Sequence, residues 1–456
     1  MEENGLATGA GTRRDGEGVR GGDKLSRQEF LRLTGVGLAG ATLLGGAGCG
    51  RGGERGGEQR IVFSHGPDDT GVLEKQIARF NRQHEGGIQV EWRQMPADGT
   101  AHFNELLTEL QAGGGNIDVM SGDVIWPAQF AANGWIEDLS DRFPESERRR
   151  FLQGPIEANT YDGKLYGVPW YTDAGLLYYR KDLLENSGFA GPPKTWNELK
   201  EQASKTMADS RIKNGFVFQG ANYEGGVVSG LEFIWNAGGD VLDRSDPGRV
   251  VIDNPDSVAG LGAYRGLVED GVSPEGVSIY TGDETDGIFL RGEAIFHREW
   301  PYMYGLLSDP ATSEVRPGQV GIAKLPVSVE GLTSYTGLGG WNLFINSASE
   351  KVDAAWTFIE FLSAPEQQKE RALEATRLPA IAELYEDEEI LDKVPVIALG
   401  SEAIQSSRPR PVSPYYSDMS LEMAEQFNAC LKGEVSPQEA VGTLQEQLQN
   451  IADQAS

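Results

Sequence analysis

The chain has 456 residues, a formal charge of −29 at pH 7 and a pI of about 4.6. That length is too great for one simple core, so two domains are the default expectation. Nearly all the excess acid lies beyond residue 60, and such a surface repels phosphate backbones, so no nucleic-acid partner is expected. Two cysteines, Cys49 and Cys430, cannot build a disulfide framework. Cys430 follows Met423 and Phe427 at helical spacing and reads as a buried, inert thiol. His65, His84, His102 and His297 show no paired spacing, and no Gly-rich phosphate loop is present, so neither a metal nor a cofactor is expected.

Residues 1–60 read as targeting segment and tether. Lys24, Arg27 and Arg32 supply a basic start, residues 33–48 a short and weakly apolar stretch, and Cys49 precedes a Gly-rich charged linker, RGGERGGEQR. The apolar stretch is too short to span a bilayer as a stable helix. Cys49 after Ala47 and Gly48 resembles a bacterial lipobox, which implies a signal peptide over 1–48 and a lipidated linker over 49–60. The alternative is an ordinary signal peptide with an incidental cysteine. Gly46 stands where lipoboxes usually carry Leu. SRQEFLRLTG resembles a twin-arginine export signal in which Gln28 replaces the second arginine, which leaves the export route open.

The folded part opens with IVFS (61–64), which predicts a strand. Leu73, Ile77 and Phe80 predict a helix over 71–84. IQVEW (88–92) predicts a second strand, 101–112 a helix, and IDVM (117–120) a third strand. This alternation predicts βαβ units and a parallel sheet, with ligands beyond the carboxyl ends of its strands. Asp118 is expected within strand three, and Asp123 and Trp126 just past its end.

The run VPWYTDAGLLYYRKDLL (168–184) then sets Trp170, Tyr171 and Asp173 within four positions of a strand before a charged helix start. Burying such groups is costly unless each finds a partner. A sugar is suitable, because its ring C–H faces stack on aromatic rings and its hydroxyls bridge carboxylate oxygens. The alternative is a slightly exposed edge strand. Four capping boxes are predicted further on, at Thr195/Glu198, Ser347/Glu350, Ser363/Glu366 and Ser436/Glu439. Trp356, Ile359, Phe361 and Leu362 predict core packing for the helix from Val352 to Leu362. Trp235, beside Phe233 and Ile234, is expected in a core.

From about residue 61 to the C-terminus the chain resembles extracellular solute-binding proteins of bacterial ABC importers, of the large carbohydrate-binding type and nearest to trehalose/maltose-binding proteins. The resemblance rests on SGDVIWPAQFAANGWIEDL (121–139), GKLYGVPWYTDAGLLYYRKDLL (163–184), PPKTWNEL (192–199), GFVFQGANYEGGVVSGLEFIWNAGGDVL (215–242), GEAIFHREWPYMYGL (292–306), GLGGWNLFIN (337–346) and RPRPVSPYY (408–416), collinear with the family. It implies an α/β, two-lobe periplasmic-binding-protein fold with a hinge and a central ligand cleft. Crossings are implied near Thr172, Leu338 and Tyr385, giving an N-lobe of 60–171 plus 338–385 and a C-lobe of 172–337 plus 386–456. Hinge closure is the implied motion.

Position by position, the resemblance implies sugar ligands at Asp123 with Trp126 beside it, Tyr171 and Asp173, and Tyr223 and Glu224. It implies stacking platforms at Trp300 and Tyr302, and close backbone approach at Gly340 beside Trp341. Relatives often carry an arginine after a proline where Ile381 stands here; Arg377, four residues earlier, is the substitute. The nearest acids to an upstream glutamate of some relatives are Asp68 and Asp69. The implied partners are an oligosaccharide ligand, ABC permease subunits and, through the N-terminal lipid, a membrane; the protein is expected to be a monomer. Two other readings share residue types with this one: a secreted glycoside hydrolase using acids among Asp123, Asp173 and Glu224, and the same fold binding a polyamine, oligopeptide or metal chelate.

Overall fold

The first three apolar runs become parallel strands. β1 (Gln59–His65) pairs in parallel with β2 (Ile88–Gln94) along its whole length and with β3 (Val119–Asp123) on its other side. The intervening helices are Val72–Gln83 and Gly99–Gln111; the first buries Leu73, Ile77 and Phe80 on one stripe, as the spacing requires. The computed structural model describes residues 57–455 apart from 69 and 247. The expected signal peptide, lipobox and Cys49 lie outside the described residues.

β4 (Thr160–Tyr161) and β5 (Lys164–Leu165) form a small hairpin. β6 (Val168–Ala174) then joins the first sheet and β7 (Leu176–Arg180) a second one, so the chain passes between sheets at Gly175. β8 (Asn214–Val217), β9 (Ala294–Glu299) and β10 (Val320–Ala323) complete the second sheet in the order β10-β7-β9-β8. The chain returns through β11 (Thr336–Ile345), followed by β12 (Leu378–Pro379) and β13 (Ser407–Arg408). The first sheet runs β12-β6-β11-β3-β1-β2, with β13 paired to the start of β11. It is parallel over β1, β2 and β3 and again where β13 meets β11, but β11 runs antiparallel to both β3 and β6.

β6 is no edge strand: it lies between β11 and β12 and is buried at all seven positions. Its Trp170 meets Phe63 edge-on at 5.8 Å, and Phe63 meets Phe358 at 5.4 Å, which builds the core of the first lobe. In the second lobe Trp196 stacks on Phe233 at 4.0 Å, and Trp235 and Cys430 are buried nearby. Burial pushes the Cys430 thiol up to about 11.

Three local expectations fail. Asp118 precedes β3 rather than lying in it, and its carboxylate accepts from the Val62 backbone, Ser349 and Lys351 at 2.9, 2.6 and 3.1 Å. Asp123 is the last residue of the strand, not a residue beyond it. Ser347 and Ser363 cap nothing: Ser347 donates to the Gly134 carbonyl, and Ser363 closes its own helix by donating to the Ile359 carbonyl. The caps at Thr195 and Ser436 do form. Near the C-terminus, the helix Val396–Gln405 still packs on β6, and it is the helix Tyr416–Lys432 that enters the second lobe's core. The pass between lobes therefore lies nearer 407–415 than Tyr385. Among the described residues no helix is long and apolar enough to cross a membrane.

Candidate functional site

The central position of β11 gathers the site. Trp341 pairs with Asp123 of β3 on one side and Tyr171 of β6 on the other, and Gly339 pairs with Asp173. Adjacent strands lie about 4.8 Å apart, so three functional side chains from distant segments fall in one row. Gly340 makes the row possible. It adopts φ +121°, and a Cβ there would lie 2.5 Å from the Tyr171 carbonyl oxygen, so only glycine fits.

The second lobe supplies the facing wall. Trp300 and Tyr302 follow β9, and Tyr223 and Glu224 stand at the start of the helix Glu224–Trp235. Trp300 lies over the Arg298 guanidinium at 4.1 Å. Arg298 is bidentate to Glu232 at 2.5 and 2.8 Å, and Glu232 also accepts from the Thr336 hydroxyl and the Gly337 N–H, at the point where β11 begins.

Between the walls lies a cavity of about 320 Å³, lined by Asp123, Asp173, Tyr223, Glu224, Trp300, Tyr302, Gly340, Trp341 and Arg377. An adjoining compartment of about 540 Å³ shares Asp123, Tyr223 and Glu224 and adds Trp126. Ten of the eleven candidate residues are thus brought together. A larger depression of about 670 Å³, at Phe189, Pro193 and Leu325, contains none of them. We place the site at the smaller cavity because the carboxylates, guanidiniums and indoles converge there.

Tyr171 is the exception. It does not line the cavity but stands behind Arg377, whose guanidinium lies 5.2 Å from the Tyr171 ring and 5.3 Å from the Tyr302 ring. Arg377 is therefore held by one ring from each lobe. Trp126 is nearly all core: it is buried against Phe103 and Phe130 and meets Trp341 edge-on at 5.6 Å. Ile381 is buried in the core and offers nothing to the cavity.

The acids differ in their freedom. Asp173 is buried and its Oδ1 has no hydrogen-bond partner among the described residues. Burial pushes its carboxyl up to about 7, against the pull of Arg377. Glu224, by contrast, accepts from Arg410 at 2.7 Å, from the Tyr416 hydroxyl at 2.6 Å and from Ser420. Asp123 accepts from Arg410 at 2.9 Å; burial raises its carboxyl and Arg410 opposes the rise.

Arg410 is the residue that sequence reasoning missed. Its side chain is 2% exposed, it lines the cavity, and it joins Asp123 of the first lobe to Glu224 of the second. Its one signal is an arginine fixed between Pro409 and Pro411 in the RPRP run.

Two α/β lobes with a polar, aromatic-walled cavity between them define a two-lobe ligand-binding protein. The family described as bacterial extracellular solute-binding protein matches residues 66–369. A probable ABC transporter-binding protein of Deinococcus radiodurans is 34% identical over 375 residues, covering 80% of this chain and 87% of that one. A maltotriose-binding protein of Pyrococcus abyssi is 26% identical over 68% of this chain and 64% of that one. Among solved structures, maltose-bound MalE3 of T. maritima superposes with a TM-score of 0.80 at 36% identity, covering 86% of this chain and 99% of that one. The chain belongs to the bacterial extracellular solute-binding protein family. Members of that family bind solutes rather than transform them, and the fold is that of the two-lobe periplasmic binding proteins.

Proposed function

We propose that this protein is an extracytoplasmic lipoprotein that captures an α-linked disaccharide or maltodextrin, of the trehalose or maltose kind, and delivers it to an ABC permease. The observation that carries the reading is the pairing, in one cavity, of an unpartnered buried acid, Asp173, with Arg377 and the indoles of Trp300 and Trp341. Indole faces take pyranose C–H surfaces, while the acid and the guanidinium take hydroxyls. The maltose-bound and maltotriose-binding relatives support the same class of cargo. Asp123, Trp126, Tyr223, Glu224, Tyr302 and Gly340 complete the proposed site, with Tyr171 acting through Arg377.

The two lobes, with the last pass between them near 407–415, close about the hinge to trap the sugar. Cys49 carries the lipid, at the cell surface or in a periplasm, and the protein acts as a monomer. Arg377 and Arg410 in the cavity argue against a polyamine cargo. Arg410 also engages both Asp123 and Glu224, which leaves only Asp173 of the three candidate acids free where a glycosidase needs two.

The test is calorimetric titration of a chain begun near Gly50 with trehalose, maltose, maltotriose, sucrose, glucose and spermidine. One-to-one binding of a disaccharide, lost in Asp173→Ala or Trp341→Ala, is the expected result. Binding of spermidine alone would overturn the cargo, and release of glucose would overturn the binding-only role. Cys49→Ser should release the protein from membranes; unchanged fractionation would refute the tether.

A further inference from the structure

Behind the second lobe's cavity wall, the helix Gly282–Leu290 and β9 bring Asp286, His297 and Glu299 together, with polar atoms of all three within 4.8 Å of one another. All three are buried, and none lines the cavity. The hydrogen bonds that leave the two carboxylates end on residues that do line it. Asp286 Oδ2 accepts from the Tyr302 hydroxyl at 2.8 Å. Glu299 accepts from Gln219 Nε2 at 2.7 Å and from the Trp300 N–H at 2.9 Å. Gln219 in turn accepts from the Tyr223 hydroxyl.

Two neighbouring buried carboxylates cannot both hold a charge without a cation to offset them. Arg298, next along β9, is committed to Glu232 at 2.5 and 2.8 Å. The remaining groups that face the pair are Asp283 on the same helix, Tyr178 on β7, and Tyr302, with Arg377 and Asp173 beyond. None of these neutralises it by contact.

The imidazole settles where the proton is. His297 Nδ1 faces the Val217 carbonyl at 3.4 Å, and Nε2 faces Asp286 Oδ1 at 3.1 Å. A carbonyl only accepts, so Nδ1 carries a proton, and burial, which lowers the imidazole to about 4, leaves the ring neutral with no second proton on Nε2; the tautomer is assigned from its partners. Nε2 then presents a lone pair, and the hydrogen in its contact with Asp286 belongs to Asp286. The trio has the elements of a cation site, yet each side chain is already hydrogen-bonded to protein.

We propose, resting on the sugar-binding reading above, that Asp286 is held as a neutral carboxylic acid that donates to His297 and accepts from Tyr302, and that it is the positioning residue that fixes Tyr302 at the cavity wall. Burial moves the groups in the sense this requires: Asp286 and Glu299 are pushed up to about 7 and His297 down to about 4. Ionising Asp286 sets a carboxylate against the imidazole lone pair and against Glu299. The ionised group still accepts from the Tyr302 hydroxyl, and more strongly, but those two neighbours push it off its position, so the Tyr302 ring shifts with it and sugar affinity changes as pH rises through neutrality.

The test compares the full-length protein with Asp286→Asn and Asp286→Ala by titration with maltose and trehalose across about pH 5 to 9, a span covering the ordinary and raised carboxyl ranges. An Asn amide can donate to Nε2 and accept from Tyr302, so Asp286→Asn should stay within about threefold of the best wild-type affinity and lose part of the pH dependence, the part that remains being that of Asp173, which is also raised to about 7. Asp286→Ala should bind about tenfold more weakly at every pH. An Asn variant whose pH profile matches that of the wild type, or one as weak as Ala, overturns the proposal. So does a melting temperature that rises on adding zinc, which would make the trio a metal site. Infrared difference spectra need no ligand: the carbonyl stretch of a neutral carboxylic acid should be present near neutrality in the wild type and reduced in Asp286→Asn, and its absence overturns the proposal. A band that Asp286→Asn reduces, with no sugar bound at any pH, keeps the proton on Asp286 and overturns the sugar-binding reading instead.

Discussion

Trp300 rests on Gly339. A Cβ placed on that glycine would lie 2.9 Å from the indole and 3.1 Å from the Cβ of Asp173. The second lobe's aromatic platform is thus seated on backbone of the first lobe's central strand, with no side chain between them. Gly339→Val should hold the indole off β11 and weaken sugar binding by about tenfold or more, the scale of an overpacked contact. The crowding against Asp173 lies within the first lobe's own sheet, so the melting temperature of the ligand-free protein should fall as well. Calorimetry and thermal unfolding on the same sample check both halves, and unaltered affinity would mean the contact does not matter for binding.

Arg410 offsets two acids from different lobes, and its removal should be costly. Arg410→Ala leaves Asp123 and Glu224, whose side chains are 23% and 19% exposed, without their cation, a loss below the ~3 to 5 kcal/mol of fully buried pairs. Arg410→Lys keeps the charge but reaches only one acid well, because it lacks the planar fork. Denaturant unfolding should rank wild type above Lys and Lys above Ala. Equal stability of the Lys and wild-type proteins would show that charge alone suffices.

Asp173 should make stability depend on pH in a direction opposite to most acids. Its folded value, about 7, lies above the ordinary carboxyl value. Its contribution is therefore complete below the unfolded value and is lost as pH rises through the folded one. Buried His65, His102 and His297, all lowered by burial, act in the opposite sense over much of the same range. The whole-protein curve mixes these effects, so the useful quantity is a difference. Asp173→Asn should gain stability relative to wild type as pH rises from about 4 to about 8. A constant difference between the two proteins across that range would refute the raised value.

Cys430 should be silent. It is buried, and burial raises its thiol to about 11, so little thiolate exists at neutral pH. A chain lacking Cys49 should react with a thiol reagent only after denaturant is added. Fast labelling of the folded protein would show that the helix Tyr416–Lys432 opens readily.

The parts legible in the sequence are those governed by short-range periodicity or by collinear segments. Leu73, Ile77 and Phe80 mark their helix because a stripe of apolar residues four or three apart has one structural meaning. Asp123, Asp173, Trp300 and Trp341 come together as the segment resemblance implies. Asp118 misled because an apolar run does not say where pairing starts, and register is fixed by neighbours. Ser347 and Ser363 misled because their hydroxyls found backbone carbonyls elsewhere. Arg410 was illegible because its partners lie 287 and 186 residues away, and no spacing rule spans such separations. The bonds of Asp286 and Glu299 to Tyr302 and Gln219 were hidden for the same reason.

Glu232 holds more than one part of the molecule at once. Its carboxylate takes both arms of Arg298, which lies against the Trp300 ring, and also the hydroxyl of Thr336 and the N–H of Gly337, where the chain re-enters the first sheet. The joint and the platform therefore share one anchor. A ligand pressing on that indole would load the joint directly, and a turn of the joint would be felt first by the ring proposed to carry the cargo.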